Sequence, residues 1–233
     1  MRFRLFLSPF VLALLLMQPA RADEGIVNDF ANADMDNGEE INEVCAGCHG
    51  EYGEGGKEGE YPRIAGLPAR YIAQEMLRFR NRTRPNMPMV EHVDDRQMPD
   101  EDIRDISAYL ARIELLSKLP PLKEGEEFDA YERMMLTKRF LNVARVEGDY
   151  KAGRKLYNKE CKSCHGKNGE GKPSQGIPML AGQYTNYLRR QIDKYIKKIR
   201  IHDPDAPDEK FLELFSEEEL NNILAYLSIV DDE

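Results

Sequence analysis

The four cysteines of this sequence fall into two copies of one short pattern, and each copy ends in a histidine. The first copy spans Cys45 to His49 and the second spans Cys161 to His165. Cys-x-x-Cys-His is the pattern of covalent haem attachment, because two thiols one helical turn apart can bond the two vinyl groups of one haem. The adjacent histidine is then held under the iron as its proximal ligand. We therefore predict two haem c groups, the first held by Cys45, Cys48 and His49 and the second by Cys161, Cys164 and His165.

Three other chemistries use paired cysteines, and the sequence disfavours each of them. A thioredoxin-like redox pair requires a βαβ context, of which the chain shows no sign. A zinc site built from both cysteine pairs would not explain a histidine after each pair, and structural disulfides would not need the histidines at all. Two of the four histidines in the chain occupy these positions, which favours haem attachment.

The likeness of the two halves extends far beyond the cysteines, at a constant offset of 116 residues. Glycines, prolines and aromatic residues recur in the same order around each cysteine pair. The matched pairs include Gly53 and Gly169, Pro62 and Pro178, Tyr71 and Tyr187, and Arg84 and Arg200. The sequence is therefore a tandem duplication of one haem-binding domain. We place a signal peptide at residues 1–22, the first domain at 23–116, a linker with a helix at 117–148 and the second domain at 149–233.

Each copy is predicted to be a small bundle of three helices around its haem, so the expected fold class is all-α. A short helix leads into each cysteine pair, and Asp149 is suited to cap the second of these. The middle helix of the first copy is predicted from about Pro68 to Arg80. The last helix begins near Pro99 in the first copy, whereas the second copy opens it with the capping box Ser216-x-x-Glu219. Because each domain is small, the haem must supply much of its apolar core.

The first 22 residues have the features of a secretory signal peptide. Arg2 and Arg4 form a positive start, residues 5–17 are mostly apolar, and Ala20-Arg21-Ala22 supplies a cleavage signal. The apolar run is short against the roughly 20 residues that a membrane span needs, so we predict export and cleavage. Removing residues 1–22 leaves 30 basic and 42 acidic residues, which give a net charge of about −12. This charge disfavours nucleic acid and anionic lipid as partners and would steer the protein toward a basic partner surface.

The segment between the two copies is predicted to contain a helix of its own. Pro120 and Pro121 end the preceding helix. Residues 128–146 then show apolar side chains at helical spacing, which predicts a packing strut between the domains. The side chains expected to be buried are Phe128, Tyr131, Met134, Met135 and Leu141.

Taken together, these residues resemble the class I cytochromes c, and the tandem arrangement after a signal peptide resembles the dihaem cytochrome c4 group. The resemblance covers about Gly38 to Leu227 and includes the Pro-x-[Ile/Leu]-Ala-Gly segments at Pro62 and Pro178. It implies that the carbonyl groups of these prolines accept a hydrogen bond from the proximal histidine rings. The sequence departs from the family pattern in two places. The interdomain segment is long, and Asn37 aligns with Gly153 on the leading helix.

The sixth iron ligand of the first haem is expected between the middle and last helices, where the candidates are Met87, Met89, His92 and Met98. Met98 aligns with Phe215 just before the last helix, so we expect it in the core. The resemblance places the ligand three residues after the asparagine of an Arg-x-Asn segment. That segment is Arg84-Pro85-Asn86 here, which indicates Met89, with Met87 and His92 as alternatives.

The second copy has no methionine in the corresponding window, because Asp205 aligns with Met89. His202 lies in the right loop and is the only histidine beyond His165 in this half. We therefore predict that His165 and His202 bind the second iron. Met179 is an alternative, although its place beside Pro178 suggests the proximal side or the haem edge. A third possibility is an iron whose sixth position is vacant or occupied by water.

The resemblance implies a periplasmic carrier that passes single electrons between redox partner proteins, among them a membrane oxidase or a dehydrogenase complex, often with peripheral membrane association. No set of catalytic residues is recognisable besides the haem sites. The alternative is a haem enzyme, or an electron-transfer subunit of an oxidoreductase, that binds a ligand or performs catalysis at the second haem. A His/His haem would have a lower potential than its His/Met neighbour, so the two sites are expected to differ.

Overall fold

The computed structural model describes residue 25 and residues 29–207 and 210–230, and over these residues the chain is helical, with only isolated β-bridges. The predicted signal peptide lies outside this range. The helices are α1 Met35–His49, α2 Ala69–Arg80, α3 Met87–His92, α4 Asp100–Arg112, α5 Ala130–Thr137, α6 Tyr150–Glu160, α7 Lys162–His165, α8 Thr185–Ile196 and α9 Glu217–Leu227. The predicted all-α class is confirmed. Within the described residues, no helix combines the length and apolar character needed to cross a membrane.

The helices form two bundles of the same design. In the first bundle α1 and α2 both pack against α4, and in the second α6 and α8 both pack against α9. The helix starts follow the predicted capping chemistry. The side chain of Asp149 accepts hydrogen bonds from the backbone N–H groups of Lys151 and Ala152, and Ser216 and Glu219 form the expected capping box. These caps satisfy backbone donors that the first helical turn leaves unpaired.

The leading and last helices of each bundle cross at a glycine, where the two backbones approach closely. A β-carbon added to Gly153 would lie 1.8 Å from the backbone oxygen of Asn222, and one added to Gly38 would lie 2.7 Å from that of Asp105. Gly38, and not Asn37, is therefore the structural counterpart of Gly153. The apparent departure at Asn37 was wrong, because the repeat shifts by one residue along this helix.

Replacing Gly153 with alanine is expected to destabilise the second domain strongly. Alanine gains about 1 kcal/mol in helix propensity over glycine, but its methyl group would overlap a backbone atom that cannot rotate away. Overpacking of this kind costs roughly 1–3 kcal/mol and at times more, so a net loss of stability follows. Thermal unfolding followed by circular dichroism measures it, and Lys155→Ala on the exposed face of the same helix should change the midpoint little.

The interdomain segment differs from its prediction. Its helix spans only Ala130–Thr137, because the chain beyond it becomes extended and pairs with Leu116, whose carbonyl accepts a hydrogen bond from the N–H of Leu141 at 2.8 Å. Leu141 is buried as expected, but Phe128 is 64% exposed, and Tyr131 and Met134 are exposed as well. The expectation of a fully packed strut was therefore wrong, since the helix presents much of its apolar surface to solvent.

The two bundles contact each other through matched features. The 3₁₀ turn Lys57–Gly59 packs against α8, and the corresponding turn Pro173–Gln175 packs against α2. A buried side chain adds a specific link, because the amide of Gln183 pairs with the backbone of Arg63. The N–H of Arg63 donates to Gln183 Oε1 at 3.1 Å, and Gln183 Nε2 donates to the Arg63 carbonyl at 2.9 Å. This pairing fixes the register between the two domains.

Candidate haem sites

Both cysteine pairs lie at the carboxyl end of a leading helix. In the first domain Cys45 to His49 form the end of α1, and in the second Cys161 joins α6 to α7. A glycine with positive φ follows each motif, at 84° for both Gly50 and Gly166. Glycine adopts this conformation without steric cost, so the chain turns away sharply after each histidine and leaves one side of the ring accessible.

The cysteine environments disfavour the competing cysteine chemistries. No disulfide joins Cys45 to Cys48 or Cys161 to Cys164 in the structure. Burial raises the pKa of the Cys45 thiol and of the Cys161 thiol to about 11. Reactive redox cysteines have lowered pKa values, so these pairs do not have the character of a thioredoxin-like centre.

Each motif histidine is oriented by a backbone carbonyl. Nδ1 of His49 lies 2.9 Å from the oxygen of Pro62, and Nδ1 of His165 lies 3.0 Å from that of Pro178. A carbonyl oxygen can only accept, so Nδ1 carries the proton and donates it. Burial lowers the pKa of both imidazoles, which favours the neutral ring. This arrangement leaves Nε2 of each ring available as a metal ligand, held in place by its second nitrogen.

A cavity of about 280 Å³ lies in the second domain between the cysteine pair and α9. Its lining includes both cysteines, His165 and His202. Most of the remaining wall is apolar and comes chiefly from α8, α9 and the 3₁₀ turn Phe211–Leu214. These apolar residues include Leu188, Ile192, Phe211, Leu220, Leu224 and Leu227. An apolar cavity with two thiols on one side and imidazoles on its wall fits a covalently attached haem.

The structure brings His165 and His202 together across this cavity, although they are 37 positions apart in the sequence. Their ring centroids are 6.3 Å apart. Two imidazoles that bind one metal ion from opposite sides, each through a bond of about 2 Å, have ring centres roughly 6 Å apart. The His202 ring also packs edge-on against Tyr195 at 5.2 Å and is stacked with Phe211 at 6.4 Å. Aromatic neighbours therefore help to hold His202 at this distance.

The candidate ligands of the first site occupy distinct environments. Met87 is 61% exposed, whereas Met98 is buried in the core as expected. Met89 is half-buried and packs against the same hydrophobic cluster as Cys45. His92 is exposed at the end of α3, and its charge contributes to the lowered pKa of His49.

Arg80 holds the segment between α3 and α4, a role that sequence reasoning missed. Its guanidinium donates to the carbonyl of Val93 at 2.8 Å and to Asp100 at 2.6 Å, and it also donates to the carbonyl of Met98. The repeat places Ile196 at the corresponding position of the second domain. That difference was visible in the sequence, but the partners of Arg80, two of which are backbone carbonyls, were not.

A family model described as cytochrome c matches residues 35–114 and 150–230, one match in each half. The chain is a member of the cytochrome c family. The double match confirms the predicted duplication of a haem domain. This cytochrome therefore has two haem c groups, and both cysteine pairs fit their attachment.

Curated relatives and a solved structure agree with this assignment. A thiosulfate dehydrogenase electron acceptor from Thiomonas intermedia (strain K12) is 28% identical over 160 residues, or 69% of this chain and 66% of that protein. A cytochrome c4 from Azotobacter vinelandii is 26% identical over 172 residues, or 70% of this chain and 72% of that protein. The crystal structure of reduced recombinant cytochrome c4 from Pseudomonas stutzeri matches in fold, with a TM-score of 0.63 at 21% identity over 84% of this chain and 98% of that one. The chain is thus a dihaem electron-transfer cytochrome that is similar to the cytochromes c4.

Proposed function

We propose that this cytochrome is an exported, periplasmic carrier that shuttles single electrons between partner proteins and performs no catalysis of its own. The observation that supports this proposal is the placement of His202 opposite His165, which would give the second iron a protein ligand on both faces. When bound, each haem supplies one-electron exchange between ferric and ferrous iron. An iron with two protein ligands need not exchange a ligand when its charge changes, whereas an open position would permit catalysis.

The cysteine motifs and the geometry described above support the residues that we propose for the two haems. We assign thioether attachment to Cys45, Cys48, Cys161 and Cys164, and the proximal ligation to His49 and His165. As distal ligands we propose Met89 in the first domain and His202 in the second. Met89 is favoured over Met87 because it packs against the same hydrophobic cluster as Cys45, while Met87 is largely exposed. Met179 also lines the second cavity, but His202 is favoured because Met179 packs against the hydrophobic cluster of the first domain. Met179 also follows Pro178, whose carbonyl is hydrogen-bonded to the proximal His165.

Carbon monoxide tests the carrier against the enzyme alternative. The reduced protein is exposed to the gas and its absorption spectrum is followed over seconds to minutes. A carrier with two ligands on each iron should keep both low-spin spectra unchanged. Rapid binding to half of the haem would contradict the proposal and would favour ligand binding or catalysis at one site.

The partners are proposed from the relatives and from charge. One relative is named an electron acceptor of thiosulfate dehydrogenase, which makes a dehydrogenase a candidate electron donor for this chain. The net charge is −9, which would speed association with a partner of basic surface and make that rate fall with added salt. A membrane oxidase is the candidate acceptor.

Replacing Arg80 with isoleucine, the residue at the matching position of the second domain, is expected to loosen the Met89 ligand. The substitution removes three hydrogen bonds from a charged donor, and the net contribution of each such bond to stability is roughly 1.5–3 kcal/mol. The far-red absorption band of methionine-ligated ferric haem should weaken, and the thermal midpoint should fall.

Arg96 provides the matched control for this experiment, because it lies in the same segment but forms an exposed ion pair with Asp94 at the surface. Exposed ion pairs contribute about 0–1 kcal/mol, so Arg96→Ala should leave the band and the midpoint nearly unchanged. An undiminished band in Arg80→Ile would show that Arg80 does not position the ligand.

A further inference from the structure

A buried cluster of charged and polar side chains lies where the two domains meet. It consists of three pairs that the repeat relates by 116 residues: Tyr71 and Tyr187, Glu75 and Gln191, and Arg84 and Arg200. Glu75 is 4% exposed, and Arg84, Arg200 and Gln191 are also buried. Charges in such a site are poorly screened by water, so each one acts on its neighbours more strongly than at the surface.

The two arginines cross the domain boundary in opposite directions. Arg200 Nη2 donates to the Tyr71 hydroxyl at 2.8 Å, and Arg84 Nη2 donates to the Tyr187 hydroxyl at 2.9 Å. Both arginines also meet at Glu75, whose Oε2 accepts from Arg84 Nη1 at 2.6 Å and from Arg200 Nη2 at 3.0 Å. The cluster is therefore one hydrogen-bonded unit shared by the two domains.

The two halves of the cluster differ in charge at one matched pair, because Glu75 of the first domain corresponds to the neutral Gln191 of the second. The amide oxygen of Gln191 takes the place that mirrors Glu75, and it accepts from Arg200 at 2.9 Å and from Arg84 at 3.3 Å. Burial alone would raise the pKa of Glu75, but attraction by Arg200, Arg84 and the partly exposed Arg78 outweighs burial and lowers it to about 2. Glu75 is thus ionised at neutral pH and is the single anion among these six residues.

The cluster also forms part of the wall of the second haem cavity. Arg200, Tyr71 and Gln191 line that cavity, together with Leu67 of the first domain. Glu75 partly neutralises Arg200 from behind this wall. A ferric haem carries one more positive charge than a ferrous haem, so a nearby negative charge favours the ferric state and an uncompensated positive charge favours the ferrous state.

We propose that Glu75, a residue of the first domain, is a positioning and tuning residue that lowers the reduction potential of the haem in the second domain. The proposal rests on the assignment of a haem to the second cavity, but it does not depend on which residue is the sixth ligand. Electron transfer between the two haems would then be set in part by one carboxylate at the domain boundary.

Spectroelectrochemical titration of the full-length dihaem protein tests this proposal. In Glu75→Gln the potential of the second haem should rise by an amount equivalent to a tenfold change in its ferric-to-ferrous ratio, which is about 59 mV for one electron. Glu101→Gln removes the same charge from an exposed position of α4, where water screens it, and should change the potential little. A purely structural role would lower the thermal midpoint of Glu75→Gln without changing the potential, and that result would overturn the proposal.

Two further variants keep the test decisive if Glu75→Gln folds poorly. Gln191→Glu adds a second anion between the same arginines and should lower the potential of the second haem. The double variant Glu75→Gln/Gln191→Glu moves the anion to a residue that lines the cavity and should bring the potential back below that of Glu75→Gln. An unchanged potential in Gln191→Glu would contradict the proposal. Failure of the carrier assignment would be seen separately, as carbon monoxide binding by the native protein.

Discussion

Replacing His202 with alanine is expected to convert the second haem from a low-spin to a high-spin spectrum while the first haem keeps its own. The physical reason is that alanine has no group to bind the iron opposite His165, whose ring lies 6.3 Å from that of His202 in the native protein. One of the two haems should therefore change spin state and, after reduction, bind carbon monoxide rapidly. Visible absorption spectra of the oxidised and reduced variant measure both effects.

The matched control for this prediction is His92→Ala, which removes the other histidine that is outside the motifs. It should leave the spectrum of the second haem untouched, since His92 belongs to the first domain. Exogenous imidazole should restore a low-spin spectrum to His202→Ala by entering the space left by the side chain. An unchanged second-haem spectrum in His202→Ala would show that another group binds this iron, with Met179 as the first candidate to substitute.

Replacing Met89 with alanine should abolish the far-red band of methionine-ligated ferric haem completely. The potential of the first haem should fall by at least the equivalent of a tenfold change in its ferric-to-ferrous ratio, about 59 mV, because a methionine ligand raises the potential of a haem. The band and the potential are both measured on the full-length protein by spectroelectrochemistry.

Met87→Ala is the control for this second prediction, since Met87 lies two residues away on the same helix but is largely exposed. It should preserve the band. If Met87→Ala removes the band and Met89→Ala does not, the two methionines exchange roles. If the native protein shows no such band and His92→Ala changes the first-haem spectrum, the first site is a His/His site, and the difference between the two haems disappears.

The features that sequence could predict are those encoded within short stretches of the chain. The attachment motifs depend on residues four positions apart, and the caps at Asp149 and Ser216 depend on residues three positions apart. The repeat then extended these local patterns to the whole architecture. For the same reason the hydrogen bonds from His49 to Pro62 and from His165 to Pro178, which the family resemblance implied, are present in the structure.

The features that sequence could not predict depend on contacts between distant residues. The predicted helix of the interdomain segment is longer than the one observed. Its apolar spacing gave no sign that the chain would turn to pair with Leu116. Two of the partners of Arg80 are backbone carbonyls, which leave no trace in residue type. The pairing of Gln183 with Arg63, and the cluster around Glu75, join residues more than 100 positions apart, so the sequence alone offered no reason to place them together.

The structure also clarifies what the duplication changed. The proximal halves of the two domains are nearly equivalent, down to matching histidine-to-carbonyl distances of 2.9 and 3.0 Å. The distal halves differ in their candidate ligands and in the anchoring of the loop by Arg80. A single charge at Glu75 breaks the symmetry of the cluster between them. We therefore expect two haems of different potential in one protein, which would give electron transfer within the molecule a preferred direction.

The measurement that tests this account most directly is the intensity of the far-red methionine-to-iron band in the fully oxidised protein, expressed per haem and combined with the spin state. One His/Met and one His/His haem should give a wholly low-spin spectrum. The band intensity per haem should be half of that shown by a protein with two His/Met haems. Full intensity, or a high-spin contribution from half of the haem, would contradict the assignment of His202 as the ligand that replaced methionine.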